Sequence, residues 1–278
     1  MATCNVCFRQ CSIEEGKLGF CGARICKEGK IIADNYGKIT SLALDPIEKK
    51  PLARFYPGSR ILSVGSYGCN LRCPFCQNYE ISWSKEAFRF SEKAESLFPE
   101  ELAQIAYEYR DRGNLGVAFT YNEPLIGFEY IRDTAEIVHE QGMKNVIVTN
   151  GTADLWVLEE LSPYIDAMNI DLKGFSERYY SKVLSGSLDM VLAFIEQASK
   201  KCHVELTTLV VPGENDSEEE MREMTKWIAS LNPEIPLHIS RFFPRFHMTD
   251  RNATSVRLVY HLADIAGENL KYVYTGNC

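Results

Sequence analysis

Three cysteines constrain this chain more than any other feature: Cys69, Cys73 and Cys76, spaced C-x3-C-x2-C inside Gly65-Ser-Tyr-Gly-Cys69-Asn-Leu-Arg-Cys73-Pro-Phe-Cys76-Gln-Asn78. They follow Arg60-Ile-Leu-Ser-Val-Gly65, an apolar run that reads as a strand. The loop after that strand therefore presents three thiols at one end of a sheet. A [4Fe–4S] cluster has four irons and usually takes four Cys thiolates. Three close-set thiols leave one iron without a protein ligand. Such an iron is free to take a small molecule and pass it an electron, much as a catalytic zinc keeps open a position that a structural zinc fills.

At 278 residues, 45% of them hydrophobic, the chain is long enough for one large domain and a small appendage. Thirty basic against 38 acidic side chains give a net charge of −8, which speaks against a general nucleic-acid or anionic-membrane surface. No charged-then-apolar leader opens the sequence and no window reaches the length of a membrane span, so the expectation is a cytoplasmic enzyme. In that compartment the clustered C-x2-C and C-x3-C spacings among the ten cysteines point to metal rather than disulfides, and the sequons at Asn215 and Asn252 carry no meaning.

Half of those cysteines precede residue 27, as Cys4-x2-Cys7-x3-Cys11-x9-Cys21-x4-Cys26, interleaved with glycines at 16, 19 and 22. A segment so rich in loops buries little by itself, and a metal would convert binding energy into folding energy. Cys4, Cys7, Cys11 and Cys21 make a four-thiolate set for zinc or for a second iron–sulfur cluster, with Cys26 as a substitute or a free thiol. The spacing does not choose between the metals. Next, Lys30–Asp34 and Lys38–Ala43 flank Asn35-Tyr-Gly37 and read as a hairpin. Residues 1–55 are thus expected to form a small cysteine-rich cap.

Beyond it, residues 56–278 alternate apolar strand runs with helical stretches. The strands are expected at Ile61–Val64, Gly116–Thr120, Asn145–Thr149, Ala167–Asp171, Val204–Val211 and Leu237–Ser240. The helices fall near Pro99–Arg112, Phe128–Gln141, Leu155–Leu161, Leu188–Lys200 and Ser217–Leu231. Strand followed by helix, repeated, implies parallel strands with right-handed crossovers. Six units are too few for eight-stranded closure, so the expected fold is α/β, a partial (β/α)6 barrel. In such barrels chemistry gathers at the carboxyl ends of the strands. Polar residues fall there: Asn122 and Glu123, Thr149 and Asn150, Asp171 and Lys173, His238 and Arg241. Lys among strand residues is disfavoured and asks for an anionic partner. Tyr79, Trp83 and Tyr121 lie near the expected mouth.

Cys-x3-Cys-x2-Cys after a first strand resembles the signature of the radical S-adenosylmethionine (SAM) superfamily. The resemblance implies that the methionine part of SAM chelates the free iron, and that reductive cleavage yields a 5′-deoxyadenosyl radical. The strand ends resemble those of the glycyl-radical-enzyme activating branch. There the second strand carries Gly-Gly-Glu-Pro; here Asn122-Glu123-Pro124 stands in its place, keeping the acid for the SAM ammonium while the glycines are lost. Thr149, Asn150, Asp171 and Lys173 would surround the SAM carboxylate and ribose. An acid in that branch also helps to hold a monovalent cation. Phe75 and His238 would face the adenine.

Longer motifs are similar to those of the AmmeMemoRadiSam-system radical SAM enzymes across essentially the whole chain. They include Gly19-Phe-Cys21-Gly22, Asp45-Pro-Ile-Glu-Lys-Lys-Pro51, Phe55-Tyr-Pro-Gly-Ser59 and His238-Ile-Ser-Arg-Phe-Phe-Pro244. Members often continue beyond a Tyr-x-Gly-Asn segment, here Tyr274-Thr-Gly-Asn277, into a Cys-x2-Cys tail. The implied activity is an oxidoreductase abstracting hydrogen from a substrate, such as a glycine of a partner protein or a small molecule, with an electron donor such as flavodoxin or ferredoxin. A non-catalytic iron–sulfur or zinc protein, a redox relay or a scaffold, is the competing class, but a relay needs cysteines and not Glu123 or Lys173. Radical modification of RNA is a third, and the acidic balance opposes it.

Overall fold

The computed structural model describes residues 1–85, 87 and 94–278. In the cap, strand β1 (Arg24–Lys27) pairs antiparallel with β2 (Lys30–Ala33) across Glu28 and Gly29, whose φ values are +52° and +72°. Two positive φ angles give the hairpin turn whose twist matches the flanking strands. The hairpin expected around Asn35-Tyr-Gly37 is therefore not formed. Asn35 is buried and its amide donates to the Tyr67 carbonyl at 3.2 Å, so that stretch lies against the Cys69 loop.

The expected boundary at residue 55 cuts through the barrel. Strand β3 (Ser41–Pro46) runs antiparallel along β4 (Arg60–Gly65) and forms one edge of an eight-stranded sheet. The chain then alternates: α1 (Pro99–Glu108), β5 (Asn114–Phe119), α2 (Phe128–Glu140), β6 (Lys144–Thr149), α3 (Leu155–Leu161), β7 (Ala167–Asp171), α4 (Leu188–Ala198), β8 (His203–Val210), α5 (Glu218–Leu231), β9 (Leu237–Arg241), α6 (Val256–Ala266) and β10 (Val273–Gly276). From β4 to β10 every neighbouring pair is parallel and the strand order follows the sequence. The two edges, β3 and β10, are not paired with each other among the described residues, so the barrel is open. The unit α6–β10 adds to the six that the sequence suggests. Strand β10 is only four half-buried residues long and carries no apolar run to announce it.

Local chemistry explains the elements. Parallel strands covered on both faces read as continuous apolar runs, and Val117–Phe119, Val146–Ile147 and Ala167–Met168 are fully or almost fully buried. Helix α1 starts with Pro99 and gives way at Tyr109–Arg112 to a tighter turn ended by Gly113 at φ +81°. Ser217 caps α5 by accepting from the Glu220 amide, with three glutamates in the first turn.

The floor of the barrel is closed by the segment after β3. Ile47 and Leu52 are completely buried and meet the inward-facing Ile61, Ala118, Val146 and Ala167, with Phe55 against them. Each such aliphatic side chain contributes about 1.5–3 kcal/mol on burial. Polar contacts fix this plug. The Pro51 carbonyl accepts from Asn169 at 2.9 Å, and the amides of Ala53 and Arg54 donate to buried Glu205 at 2.9 and 2.7 Å. With the lower end sealed, the carboxyl ends of the strands are the open end. No helix of the described residues is long and apolar enough to cross a membrane.

Candidate active site

A cavity of about 310 Å³ opens at the carboxyl ends of the strands. The Cys69–Cys76 loop, which follows β4, forms one wall, and the ends of β5 to β9 form most of the rest, with Asn277 beyond β10. Ten of the residues expected at the site line it: Cys69, Cys73, Phe75, Cys76, Asn122, Glu123, Thr149, Asn150, Asp171 and Lys173. They come from four separate segments, and the parallel stacking of the strands in sequence order brings them together.

Glu123 is buried and fully engaged on one side. It accepts from Thr149 Oγ1 at 2.6 Å, the Asn150 amide at 2.8 Å and the Leu125 amide at 3.1 Å. Desolvation lifts its carboxyl to about 7 in spite of those bonds, and the charge of Asp171 adds to the rise. A cationic ligand arriving there would restore the ionised form. Across the cavity Lys173 Nζ lies 2.7 Å from Asp171 Oδ2. Burial opposes the lysine's charge, but Asp171 and the nearby Cys73 hold its pKa well above the ordinary value. Two carboxylates and one ammonium thus face the same space, a pattern suited to a ligand that carries charges of both signs.

Cys73 is buried and Cys69 and Cys76 are half-buried, and removal from water raises the pKa of each. Cys69 stands well above the usual range with Glu123's charge as the next cause, Cys73 is pushed up to about 12, and Cys76 is raised. Buried thiols of this kind become thiolates when a metal replaces the proton. Hydrogen bonds to sulfur favour that change: the Leu71 amide points at Cys69 Sγ at 3.4 Å and the Asn150 amide group lies 3.8 Å from it. Among the described residues, no three metal-binding side chains stand close enough to share a single ion. A [4Fe–4S] cluster has no such requirement, since each thiolate takes a different iron, and an all-sulfur donor set suits iron–sulfur chemistry. The donor set and the cavity beside it fit a cluster with one open iron.

Asn122 lines the cavity, yet its side chain is spent on the loop. Its Oδ1 accepts from the Ser66 amide at 3.0 Å, and its Nδ2 donates to the carbonyls of Tyr67 and Gly68 at 3.1 and 3.2 Å. An asparagine in place of glycine thus anchors the backbone that carries Cys69.

His238 and Arg241 are not brought to the cavity. His238 Nε2 is 2.6 Å from Glu205 Oε2 and its ring stacks on Tyr274, which places it at the depth of the barrel floor. Arg241 Nε donates to the Thr254 carbonyl at 2.6 Å, and its guanidinium lies over Phe243. Strand alternation explains the first displacement: His238 and Ser240 share the inward face, and only the upper of the two, Ser240, reaches the cavity. Thr207, Ser240 and Asn277 also line it without having been singled out from the sequence. A usable signal existed for Thr207, since His203, Glu205 and Thr207 recur at period two between apolar residues. Asn78 is a further addition, donating to the Tyr121 carbonyl at 2.7 Å.

The four N-terminal thiols also converge. Cys4, Cys7, Cys11 and Cys21 line a second, closed cavity on the outer side of the Cys69 loop, whereas Cys26 lies apart with its thiol 3.5 Å from Glu15.

A sequence profile described as the Radical SAM superfamily matches residues 63–225. An uncharacterized protein of Methanocaldococcus jannaschii is 40% identical over 278 residues, covering 99% of this chain and 80% of that one. The pyruvate formate-lyase-activating enzyme of Clostridium pasteurianum is 28% identical over 182 residues, covering 63% of this chain and 71% of that one. Among solved structures, Streptococcus suis SuiB bound to S-adenosylmethionine superposes with a TM-score of 0.60 at 17% identity. The match covers 76% of this chain and 48% of SuiB, and it speaks to the fold alone.

Proposed function

Because this chain belongs to the radical SAM superfamily, whose cofactors are a [4Fe–4S] cluster and S-adenosylmethionine, we propose that it is an oxidoreductase that takes a hydrogen atom from a substrate with a SAM-derived 5′-deoxyadenosyl radical. The observation that carries this reading is that three thiols and an opposed set of charges, Glu123 against Lys173, line one cavity at the open end of the barrel.

When bound, the cluster supplies the electron that breaks a carbon–sulfur bond of SAM. The chain's own residues bind, orient and dry the site. Cys69, Cys73 and Cys76 would hold the cluster. Glu123, kept in place by Thr149 and Asn150, receives the methionine ammonium; Lys173, balanced by Asp171, receives the carboxylate. Asp171 also offers an oxygen to the ribose or to a monovalent cation beside SAM. Phe75, buried and packed edge-on against Phe242, presents an apolar surface to the adenine. The sealed floor excludes water from below, which protects a radical from side reactions.

The substrate class is a glycine of a partner protein, and the electron donor is a one-electron carrier of the flavodoxin or ferredoxin kind. Matches to proteins named pyruvate formate-lyase-activating enzymes support the first of these. The test is anaerobic reconstitution with iron and sulfide, followed by iron counting and assay of 5′-deoxyadenosine from SAM and dithionite. Iron incorporation with no 5′-deoxyadenosine would overturn the reading.

A further inference from the structure

The N-terminal thiols form a constellation that the proposed reaction does not use. Cys4, Cys7 and Cys21 are buried and Cys11 half-buried, all four around one closed cavity of about 10 Å³. Its remaining walls are Val6, Ile13, Ile126, Gly19, Asn70 and the arginines Arg9 and Arg24. A space of that size is about one water or one ion wide. Four unbridged thiols crowded about it are hard to account for as packing alone, because each is a reactive group in a segment with little core of its own.

The backbone prepares these sulfurs for negative charge. The Arg9 amide is directed at the Cys7 sulfur, and the amides of Ala23 and Arg24 at the Cys21 sulfur. The Cys4 amide donates to the Cys11 carbonyl at 2.9 Å, which closes the first loop upon itself. Two short loops that aim main-chain N–H groups at a cysteine two or three residues back are what a thiolate-bound ion requires on each side.

The cavity also touches the first site. The Cys69 amide donates to the Cys21 carbonyl at 3.1 Å, and Asn70 Nδ2 donates to the Thr152 carbonyl at 3.3 Å. Gly68 makes the first contact feasible: a Cβ there would stand 2.7 Å from the Cys21 carbonyl oxygen. Arg9 and Arg72 lie over the Phe20 ring at 3.4 and 3.7 Å, and they donate to the carbonyls of Asn70 and Cys69 at 2.9 and 2.8 Å. The backbone that carries Cys69 is thereby bound to the loops that carry Cys7 and Cys21.

We infer that Cys4, Cys7, Cys11 and Cys21 bind one zinc ion in a closed four-thiolate site that clamps the cap against the Cys69 loop. Four protein ligands leave no open position, so the ion is structural and takes no part in SAM cleavage. Its binding displaces the thiol protons to solvent, and the ion's two positive charges offset half of the four thiolates' charge, with Arg9 beside them. As they stand no three of the thiols meet on one point. Zinc binding must therefore draw the four sulfurs in towards the ion.

The test is metal analysis of the whole chain purified anaerobically and reconstituted, as wild type, as Cys4→Ser/Cys7→Ser and as Cys26→Ser. The expected result is about one zinc and about four irons per chain in the wild type. The double variant should lose the zinc and keep the irons, and Cys26→Ser should keep both. If the double variant keeps its zinc, or loses about four irons instead, the inference is overturned. Should the double variant fail to fold, cobalt(II) exchanged into the wild type decides: visible bands of tetrahedral cobalt–thiolate coordination are expected, and their absence overturns it. The zinc reading and the SAM reading fail separately, since the first is scored on zinc and the second on 5′-deoxyadenosine.

Discussion

Thr149 Oγ1 donates to Glu123 Oε1 at 2.6 Å, tying the end of β6 to the end of its neighbour β5. The bond fixes the buried carboxylate of the cavity wall and leaves its charge to be matched by a ligand. Lys173 is the counterpart across the cavity, and each charge-assisted contact with SAM should be worth about 1.5–3 kcal/mol. Glu123→Gln or Lys173→Met should therefore weaken SAM binding by roughly ten- to a hundredfold while iron content stays the same. Equilibrium binding to the reconstituted chain measures this, and unchanged affinity in both variants would move the SAM site elsewhere.

Replacement of Cys69, Cys73 or Cys76 by Ala removes one of three ligands from a cluster that already lacks a fourth protein ligand. Each variant should lose the iron bound at this loop and all SAM cleavage. A triple variant that still formed 5′-deoxyadenosine would disprove the assignment of the cluster.

At the barrel floor Glu205 accepts from Ala53 and Arg54 and lies 2.9 and 2.6 Å from Nε2 of His203 and His238. Burial works against its charge, but hydrogen bonds from His203, His238 and the two amides hold its pKa down at about 2, against an ordinary 4.5. A depressed pKa means that its contribution is complete above the unfolded value and is lost as pH falls towards the folded one. The shift corresponds to on the order of 3 kcal/mol. In urea titrations, Glu205→Gln should be less stable than wild type by about that amount at neutral pH. The gap should narrow as pH falls from 4.5 towards 2. A gap that does not depend on pH would show that Glu205 acts through shape and not charge.

Gly68 has φ +92°, and a Cβ there would stand 2.7 Å from the Cys21 carbonyl oxygen and 2.8 Å from the Ala23 Cβ. Both the conformation and the contact exclude a side chain. Gly68→Ala should cost about 1–3 kcal/mol of stability and reduce iron bound at the Cys69 loop. Unfolding midpoints with iron content measure both, and wild-type values in both would deny the close approach of cap and loop.

Much of the candidate site was legible because its residues are local in sequence and their chemistry is unambiguous. C-x3-C-x2-C after a strand, Thr149-Asn150 at one strand end and Asp171-x-Lys173 at another are each a few residues long. The strand–helix alternation that aligns them follows from hydrophobic periodicity. The four strand segments from β4 to β7 lie within two residues of where that periodicity puts them. The N-terminal cysteines were likewise recognisable as a group by spacing, but spacing left Cys26 as a substitute, and only the fold sets it apart from Cys4, Cys7, Cys11 and Cys21.

What the tertiary structure decided was depth and partnership. His238 is chemically suited to an active site, and its strand is where it was expected. Yet one step of strand alternation below Ser240 puts it on Glu205, which no local pattern reveals because the two residues are 33 apart in sequence. Ser41–Pro46 reads as part of a cap, but its unpaired backbone groups find the free edge of β4, and the apolar residues after it fill the barrel floor. Asn122 replaces a glycine, and only the folded loop shows its amide bonded to residues 66–68. Sequence by itself determined which side chains carry the chemistry, since reactivity belongs to the residue and its near neighbours. Which of them face one another was decided by long-range pairing and burial, whose energies depend on contacts between segments that the chain order does not specify.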